Sequence, residues 1–360
     1  MNTTDRCVIS GRGRRRGPTK RRLVGVAAAS LSLAVVAACG ATSGGDDEAG
    51  EADAEPRTIR LAHTQGDSHP HHACGIDVMQ EELESADVGL TLEAFPNAQL
   101  GSNEDNLTAI QGGELDAALP GVGSLSVFEP RVGVLELAFA YESLDDVQAV
   151  VDGEIGTEIL EPLRESANVR VLGPLWPLGT RHVTANVPVT SPEDLSGLQM
   201  RSQDTPSSRA TVEALGASAT PINFTELYLA LSQGVVDAQE NPLNQIAFGA
   251  FEEVQDYLSL TGHVQNAHAF VISESTFGDL SDEQREALES AAVTAQEAAG
   301  ECIADVDAEL LADWEERGVI EVVPSEEIDL EAFQAHAREI YSDPSYEEFG
   351  GDLYDDVATN

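Results

Sequence analysis

Three histidines and a cysteine lie close together early in the chain: His69, His71, His72 and Cys74. Imidazole nitrogens and thiolate sulfurs are ligands that zinc prefers in proteins. All four residues belong to one short segment, however, and no compact partner cluster occurs elsewhere in the sequence. We therefore predict neither a metal site nor a cofactor.

The motifs that carry hydrolytic chemistry are missing. The sequence contains no Gly-x-Ser-x-Gly, no phosphate-binding P-loop and no His-Glu-x-x-His. Such motifs bring a nucleophile, a phosphate cradle or a zinc-bound water to a substrate. Their absence disfavours an extracellular hydrolase, and we expect that the protein is not an enzyme.

The charge of the chain makes its few cations informative. The sequence has 19 basic and 64 acidic residues, a formal charge of −45. Residues 1–38 hold eight of the bases and one of the acids, so 11 arginines and 63 acids follow, with a formal charge of −52. Such a surface repels nucleic acid and anionic headgroups. An anionic ligand must be attracted by particular arginines against this field.

Strand and helix patterns alternate along the chain and would position such arginines. Apolar alternation predicts strands, and amphipathic spacing predicts helices. Alternation of the two predicts parallel sheets in an α/β fold, whose ligands bind beyond the carboxyl ends of strands. Strands are expected at residues 58–63, 88–94, 115–119, 169–172, 181–186, 198–202, 237–240 and 267–273, and helices at 72–85, 103–112 and 207–215.

Arg201 falls at the end of the strand predicted for residues 198–202. A planar guanidinium presents paired donors that match a carboxylate, which lysine cannot do. At the mouth of a sheet, such a side chain has the chemistry to bind a carboxylate. The alternative is a surface arginine paired with one of the many acids.

One long helix is predicted from Ser281 to Arg317. Ser281 and Gln284 form a capping-box pattern, and Gly318 stands where a left-handed C-terminal cap belongs. The folded part, with about 300 residues, is long enough for two lobes of ordinary domain size. At 1.5 Å per residue this helix would extend roughly 54 Å, which is longer than one such lobe is wide. The alternative is two helices broken at Gly300.

The first 38 residues read as a targeting segment. A basic stretch precedes the uncharged run at residues 23–38, which is too short to span a bilayer comfortably. The sequence Val-Ala-Ala-Cys-Gly around Cys39 resembles the bacterial lipobox, so we expect cleavage before Cys39 and a lipid on its sulfur. An ordinary signal peptide with a chance cysteine is the alternative. Export through the general or the twin-arginine route stays open.

Residues 39–56 contain the expected lipidated cysteine and an acidic stretch without large apolar side chains, which predicts a flexible tether. The acyl chains would then anchor the protein to the outer face of the cell membrane. Beyond the tether, Cys74 and Cys302 are the remaining thiols. They can form one disulfide in an oxidising compartment, but sequence alone leaves both states open.

Several motifs resemble the DctP-type binding proteins of tripartite ATP-independent periplasmic (TRAP) transporters. The resemblance extends from Thr58 to about Asp343 and is most specific between Phe224 and Leu243. The motifs are PNAQLG at 96–101, GTR at 179–181, DLSGLQMR at 194–201, FTELYLAL at 224–231 and GVVDAQENPL at 234–243.

The resemblance implies a two-lobed α/β protein, like a periplasmic binding protein, with a cleft between its lobes and a long helix spanning both. The first lobe would comprise residues 57–178 with 264–304. The second would comprise residues 179–263 with 305–360. Such proteins deliver carboxylate-bearing solutes to a permease that runs on an ion gradient.

The resemblance also assigns ligand contacts. Arg201 would hold the ligand carboxylate, and Arg181 would hold the same carboxylate, a hydroxyl or a second acid. Asn241 would hydrogen-bond the ligand, and Phe224 would pack on it or in the core. The remaining expected contacts are Asn103, Gly121 and His69, with Trp176 either stacking on the ligand or buried at the lobe boundary.

The expected ligand is a small organic acid: a dicarboxylate, a sugar acid or a hydroxy or keto acid. The alternative function is a lipid-anchored sensor or adaptor that presents the bound acid to a membrane receptor. The expected partners are therefore the acid, the membrane permease subunits and the membrane itself, with no nucleic acid.

Overall fold

The computed structural model describes residues 55–358. The predicted targeting segment, Cys39 and most of the tether lie outside these residues. None of the described helices combines the length and the apolar character needed to cross a membrane.

Eleven strands form two sheets in the described part of the chain. They are β1 Arg57–Ala62, β2 Leu90–Phe95, β3 Ala117–Ala118, β4 Val169–Val171, β5 Trp176–Ala185, β6 Gln199–Ser202, β7 Ser218–Pro221, β8 Ala238–Pro242, β9 Tyr257–His268, β10 Val271–Ser273 and β11 Glu321–Val323. The first sheet has the order β2-β1-β3-β10-β4, and the second has the order β11-β9-β5-β8-β6-β7. The expected two-lobed α/β architecture is confirmed.

Helices cover these sheets. They are α1 Asp77–Ala86, α2 Asn103–Gln111, α3 Leu144–Val151, α4 Glu154–Ala167, α5 Pro192–Leu195, α6 Pro206–Leu215, α7 Phe224–Ser232, α8 Leu243–Phe248, α9 Glu274–Asp279, α10 Asp282–Arg317, α11 Leu330–Tyr341 and α12 Tyr354–Val357. A π-helical segment, His71–Ile76, leads into α1. The 3-10 segments Val122–Val127 and Pro130–Glu136 follow β3.

The prediction that the sheets are parallel is wrong in part. β1 pairs in parallel with β2 and β3, but β10 runs antiparallel to β3 and β4. In the second sheet, β5 runs antiparallel to both β8 and β9. The reason is that the chain leaves the first lobe along β5 and returns along β9, so two long strands of opposite direction lie side by side.

The long helix α10 is one continuous element. Ser281 caps its start in a capping box with Gln284, and Gly318 ends it in the left-handed conformation, as predicted. At Gly300 the helix continues, and an added Cβ there would lie 3.1 Å from the ring of Pro177. Ala291 to Ala299 pack on the core of the first sheet, whereas Trp314 packs on that of the second. The helix therefore spans both lobes.

A disulfide joins Cys74 to Cys302, with the α-carbons 6.5 Å apart. Cys74 belongs to the π-helical segment of the first lobe, and Cys302 lies in the middle of α10. The bond therefore ties the turn after β1 to the helix that runs along both lobes.

Each sheet has its own apolar core, and a third, larger core lies between them. Ile59, Met79 and Phe270 lie in the first core, and Leu227 and Phe251 lie in the second. The third core joins residues from both lobes, including Leu107, Val134, Met200, Phe333 and Tyr341. Burial of apolar surface stabilises each core in proportion to the area removed from water. Strands β1 and β3 contribute their last residues, Ala62 and Ala118, to this third core.

Candidate functional site

Arg181 lies at the centre of the second sheet. It is on β5, where its partner in register on β8 is Pro242 and its partner on β9 is Val264. The pairing with Val264 is the last before an irregularity in the ladder between Arg181 and Val183. Arg181 is 5% exposed. A charge buried to this extent requires partners for its donors.

Every nitrogen of the Arg181 guanidinium donates to the protein. Nε and Nη2 donate to the two carboxylate oxygens of Glu240, the Nη2 contact being 2.7 Å long. Nη2 also donates to Asn241 Oδ1 at 3.1 Å, and Nη1 donates to Asn266 Oδ1 at 3.0 Å. Arg181 is therefore already held by a carboxylate of its own chain.

Glu240 is the acid of this pair, and it also contacts His263. Burial alone would raise the pKa of Glu240, but the positive charge of Arg181 and the His263 hydrogen bond hold it at about 2. Burial lowers the pKa of His263, so this ring is neutral at neutral pH. Its Nδ1 accepts from the Thr261 hydroxyl at 2.8 Å, and its Nε2 then donates to Glu240 at 3.1 Å.

Arg201 differs from Arg181 in its partners. It is the third residue of β6, is 3% exposed, and its Nε donates to the carbonyl of Ile222 at 2.9 Å. Among residues 55–358 its guanidinium forms no ion pair with a carboxylate. Burial, together with repulsion from Arg181, lowers the pKa of Arg201 to about 10, so it remains charged at neutral pH.

Glu136 is a second buried acid near Arg181. It ends the 3-10 segment Pro130–Glu136, is 9% exposed, and its Oε1 accepts from Asn266 Nδ2 at 3.2 Å. Burial raises the pKa of Glu136, and the charge of Arg181 opposes this shift only in part. A cavity of ≈ 10 Å³ is lined by Glu136, Arg181, Gln203, Ser208, Thr211, Glu240, Val264 and Asn266.

The other residues expected in the second lobe lie beside this site. Asn241 is 4% exposed, accepts from Arg181 and donates through Nδ2 to Gln239 Oε1 at 2.6 Å. Phe224 begins α7, where its half-buried ring stacks on Phe248 with centroids 6.0 Å apart. Phe224 also packs against Phe251.

The residues expected from the first lobe are spread over a wider area. His69 is 5% exposed and contacts the second lobe, with Nε2 3.4 Å from Asn244 Oδ1 and 2.9 Å from Gln245 Nε2. Gly121 forms an isolated bridge with His268. Asn103 is the half-buried first residue of α2.

Trp176 is fully buried at the start of β5. Its ring lies at a right angle to that of His71, with centroids 5.8 Å apart. A Cβ added at Gly75 would come within 2.4 Å of the indole. The indole therefore packs in the first core and does not line the cavity beside Arg181.

Several histidines surround the turn after β1. His63 Nε2 and His72 Nδ1 are 3.0 Å apart, and the rings of His71 and His268 have centroids 4.9 Å apart. Within residues 55–358, no three His, Cys, Asp or Glu side chains converge as metal ligands. Cys74 cannot contribute, because its sulfur is in the disulfide.

Sequence reasoning did not single out Glu136, Glu240, His263 or Asn266. For Glu136 a signal was present, because this acid stands alone in the apolar run at residues 132–141. For Glu240 the signal was its place inside the most specific motif, next to Asn241. His263 and Asn266 lie in β9 and carry no local signal.

Two α/β lobes, a long helix and two strands that join them, and a buried charged site on the second sheet are features typical of a two-lobed binding protein. A profile described as bacterial extracellular solute-binding protein, family 7 (DctP), matches residues 61–348. The chain belongs to this family, the DctP-type solute-binding proteins of TRAP transporters.

Relatives of known name support this membership. A solute-binding protein of Roseobacter denitrificans is 35% identical over 286 residues, which is 79% of this chain and 86% of the relative. The sialic acid-binding periplasmic protein SiaP of Vibrio cholerae is 31% identical over 263 residues, 73% of this chain and 80% of SiaP.

Solved structures are similar over nearly the whole folded part. The crystal structure of the same Roseobacter denitrificans protein with bound L-galactonate has a TM-score of 0.73 and 33% identity, covering 85% of this chain and 99% of that one. A second protein of that organism, with bound 3-deoxy-D-manno-oct-2-ulosonic acid, has a TM-score of 0.76 and 26% identity, covering 84% and 99%.

Proposed function

We propose that this protein binds a small organic acid through Arg201 and delivers it to an ion-gradient-driven TRAP permease. Family members are binding proteins for small acids and are not enzymes. Arg201 would hold the carboxylate, and the polar groups around Arg181 would contact the rest of the ligand. The expected partners are the acid and the permease subunits.

The main support for this proposal is which arginines form ion pairs with carboxylates and which do not. All eleven arginines after residue 38 lie in the described part of the chain, and nine of them form an ion pair with a carboxylate there. The two exceptions are Arg60, which is half-exposed, and Arg201, which is buried. A buried guanidinium without an acid, in a chain so rich in acids, favours an anion supplied by a ligand.

The surroundings of Arg181 favour a ligand with one carboxylate and several hydroxyls. Glu240 already occupies the Arg181 guanidinium, so a second ligand carboxylate would meet a neutralised arginine. Hydroxyl and amide groups line the cavity beside it, from Gln203, Ser208 and Thr211. Such groups exchange hydrogen bonds with sugar hydroxyls. Relatives solved with L-galactonate and with D-erythronate agree with an acid of this class.

Substitution of Arg201 tests the proposal. We expect Arg201→Ala to weaken binding of the cognate acid at least about 100-fold in calorimetry, because the carboxylate loses a buried, charged donor pair. Arg201→Lys should bind with intermediate affinity, since lysine keeps the charge but not the paired donors. Arg164→Ala is the matched control, because this exposed arginine pairs with Glu161 on α4. Unchanged affinity in Arg201→Ala would refute the mechanism.

We also propose that Cys39 carries a lipid that holds the protein on the outer face of the cell membrane. The support is the small-residue sequence around Cys39, the preceding apolar run and the tether-like residues that follow. Expression of Cys39→Ser should release the protein from the membrane fraction, whereas Cys7→Ser should not. A wild-type N-terminus without acyl mass in mass spectrometry would contradict this part of the proposal.

A further inference from the structure

Two buried carboxyl groups share one cavity with one arginine. Glu240 has two cationic or donating partners, Arg181 and His263. Glu136 accepts instead from uncharged donors, the side-chain amide of Asn266 and the backbone N–H of Gly123. Glu136 is therefore the carboxyl whose charge is less well compensated.

The charges of the site do not balance once an acid is bound. Arg181 and Arg201 contribute two positive charges, and ionised Glu240 and Glu136 contribute two negative ones. A ligand carboxylate adds a third negative charge to a region that is closed to water. An uncompensated buried charge is costly, and a buried acid avoids the cost by taking a proton. Glu136 is the group that can do so while the Arg181–Glu240 pair stays intact.

We propose that Glu136 takes up one proton when the protein closes on a carboxylate ligand, so that acid and proton are captured together. The proton comes from solvent, adds to a carboxylate oxygen of Glu136, and no bond of the ligand breaks. This inference rests on the proposed function, because it requires that an acid binds in this site.

The charged groups around Glu136 have partners of their own, so Glu136 is the group in this cavity that takes the proton. Arg181 on β5 and Glu240 on β8 are the charged groups that act on it, and burial raises the pKa of Glu136 despite the charge of Arg181 and the hydrogen bond from the Gly123 backbone. His263 on β9 donates to Glu240 and is neutral. The other charged groups near the 3-10 segment of Glu136 have partners of their own. Arg209 pairs with Asp204, Glu213 accepts from Tyr346, Asp146 caps α3, and Arg131 pairs with Glu158.

The size of the cavity requires opening and closing. At ≈ 10 Å³ it has room for about one water, so the lobes must separate before a sugar acid can enter. In the open protein Glu136 faces water and is ionised at neutral pH. In the closed complex its pKa is raised, so the complex binds more protons than the free protein. Affinity should then rise as pH falls, by up to about tenfold per pH unit.

Calorimetry of the purified protein can measure how many protons are taken up when the ligand binds. L-galactonate, D-erythronate and 3-deoxy-D-manno-oct-2-ulosonic acid are titrated at pH 7, and the tightest binder is repeated in buffers of different ionisation enthalpy. The slope of observed enthalpy against ionisation enthalpy gives the protons taken up. We expect net uptake by the wild type, with affinity rising as pH falls from 8.5 to 7, a range in which the histidines stay largely neutral whether the lobes are open or closed.

Glu136→Gln is the decisive variant, because the amide is a neutral isostere of the protonated acid. It should bind the same ligand with no proton uptake and with an affinity that stays constant between pH 8.5 and pH 7. Glu142→Gln is the matched control, because this acid is exposed, and it should keep the wild-type slope. Circular dichroism establishes that each variant is folded. If Glu136→Gln does not fold, the wild-type buffer series still decides whether a proton is taken up.

The outcomes separate this inference from the function on which it rests. Binding by the wild type without proton uptake overturns the role of Glu136 and leaves the proposed function intact. The same slope in Glu136→Gln, or a folded Glu136→Gln that no longer binds, also overturns it. Failure of all three acids to bind overturns the proposed function itself.

Discussion

Arg181 and Arg201 show how identical side chains acquire different roles from their partners. Both are buried on neighbouring parts of the second sheet, and both would pass as carboxylate binders by sequence. Arg181 is held by Glu240, Asn241 and Asn266, whereas Arg201 donates through Nε to a backbone carbonyl. The first arginine is therefore paired with an acid, whereas the second has no carboxylate partner among residues 55–358.

Substitution of Glu240 should reveal how much stability is lost when Arg181 stays buried without a counter-charge. We expect Glu240→Ala to lower the free energy of unfolding by about 3–5 kcal/mol, because Arg181 stays buried without its carboxylate. Asp204→Ala is the matched control: its pair with Arg209 is largely exposed and should contribute little. Urea unfolding measures both. Equal losses in the two variants would show that burial does not matter for the Arg181 pair.

The contact between the π-helical segment and α10 is the clearest example of packing between elements. Gly75 of this segment faces both Trp176 and Ala299, and the disulfide from Cys74 to Cys302 crosses the same contact. Only a residue without a side chain lets the two helices approach so closely. The middle of α10 is thus bound covalently to the first lobe.

Gly75→Ala should therefore destabilise the protein. An added Cβ would lie 2.4 Å from the indole of Trp176 and 3.0 Å from the Cβ of Ala299, so the free energy of unfolding should fall by about 1–3 kcal/mol. Gly278→Ala serves as control, because a Cβ there meets nothing within 4 Å. It should be neutral or slightly stabilising. Thermal unfolding compares them, and a neutral Gly75→Ala would contradict the packing described.

At the scale of the whole molecule, the lobes meet through polar groups as well as through an apolar core. His69 and Gln65 of the first lobe contact Asn244 and Gln245 of the second. Several histidines are buried at or near this contact, where their charged forms are disfavoured. Closure of the two lobes should therefore depend on neutral histidines.

Stability should fall as the solution becomes acidic. Burial lowers the pKa of His63, His182 and His268 to about 3 and that of His69 to about 4. Their pKa in the unfolded chain is about 6.5, so below that pH the unfolded state binds more protons and is favoured. Three carboxyl groups oppose this trend, because burial raises the pKa of Asp307 to about 6 and also raises the pKa of Glu136 and of Glu252.

The measurement is urea unfolding between pH 7 and pH 4 in 1 M NaCl, where repulsion among surface acids is screened beyond about 3 Å. The contribution of the buried, neutral histidines to the free energy of unfolding is fully present above about pH 6.5 and is lost progressively toward pH 3. Each histidine can lower the free energy of unfolding by at most about 1.4 kcal/mol per pH unit. A free energy of unfolding that stays constant or rises from pH 6.5 to pH 5 would contradict this prediction.

Some features follow from residues that are close together in sequence. The long helix α10, its cap at Ser281 and its end at Gly318 were all predictable, because capping and helical periodicity are local properties. Most strands were also predicted to within a few residues, and Arg201 was correctly placed near the end of a strand. The run at 267–273 was expected as one strand, but β9 ends at His268 and β10 begins at Val271.

Other features depend on residues that are far apart in sequence. The parallel-sheet prediction was wrong in part, because the pairing of β5 with β9 depends on the route of the chain between the lobes. Arg181 is neutralised by an acid 59 residues away, and Glu136 accepts a hydrogen bond from an amide 130 residues away. Local sequence determines which element a side chain occupies. Which charge it meets there depends on the packing of distant elements, because electrostatic interactions act through space and strengthen where water is excluded.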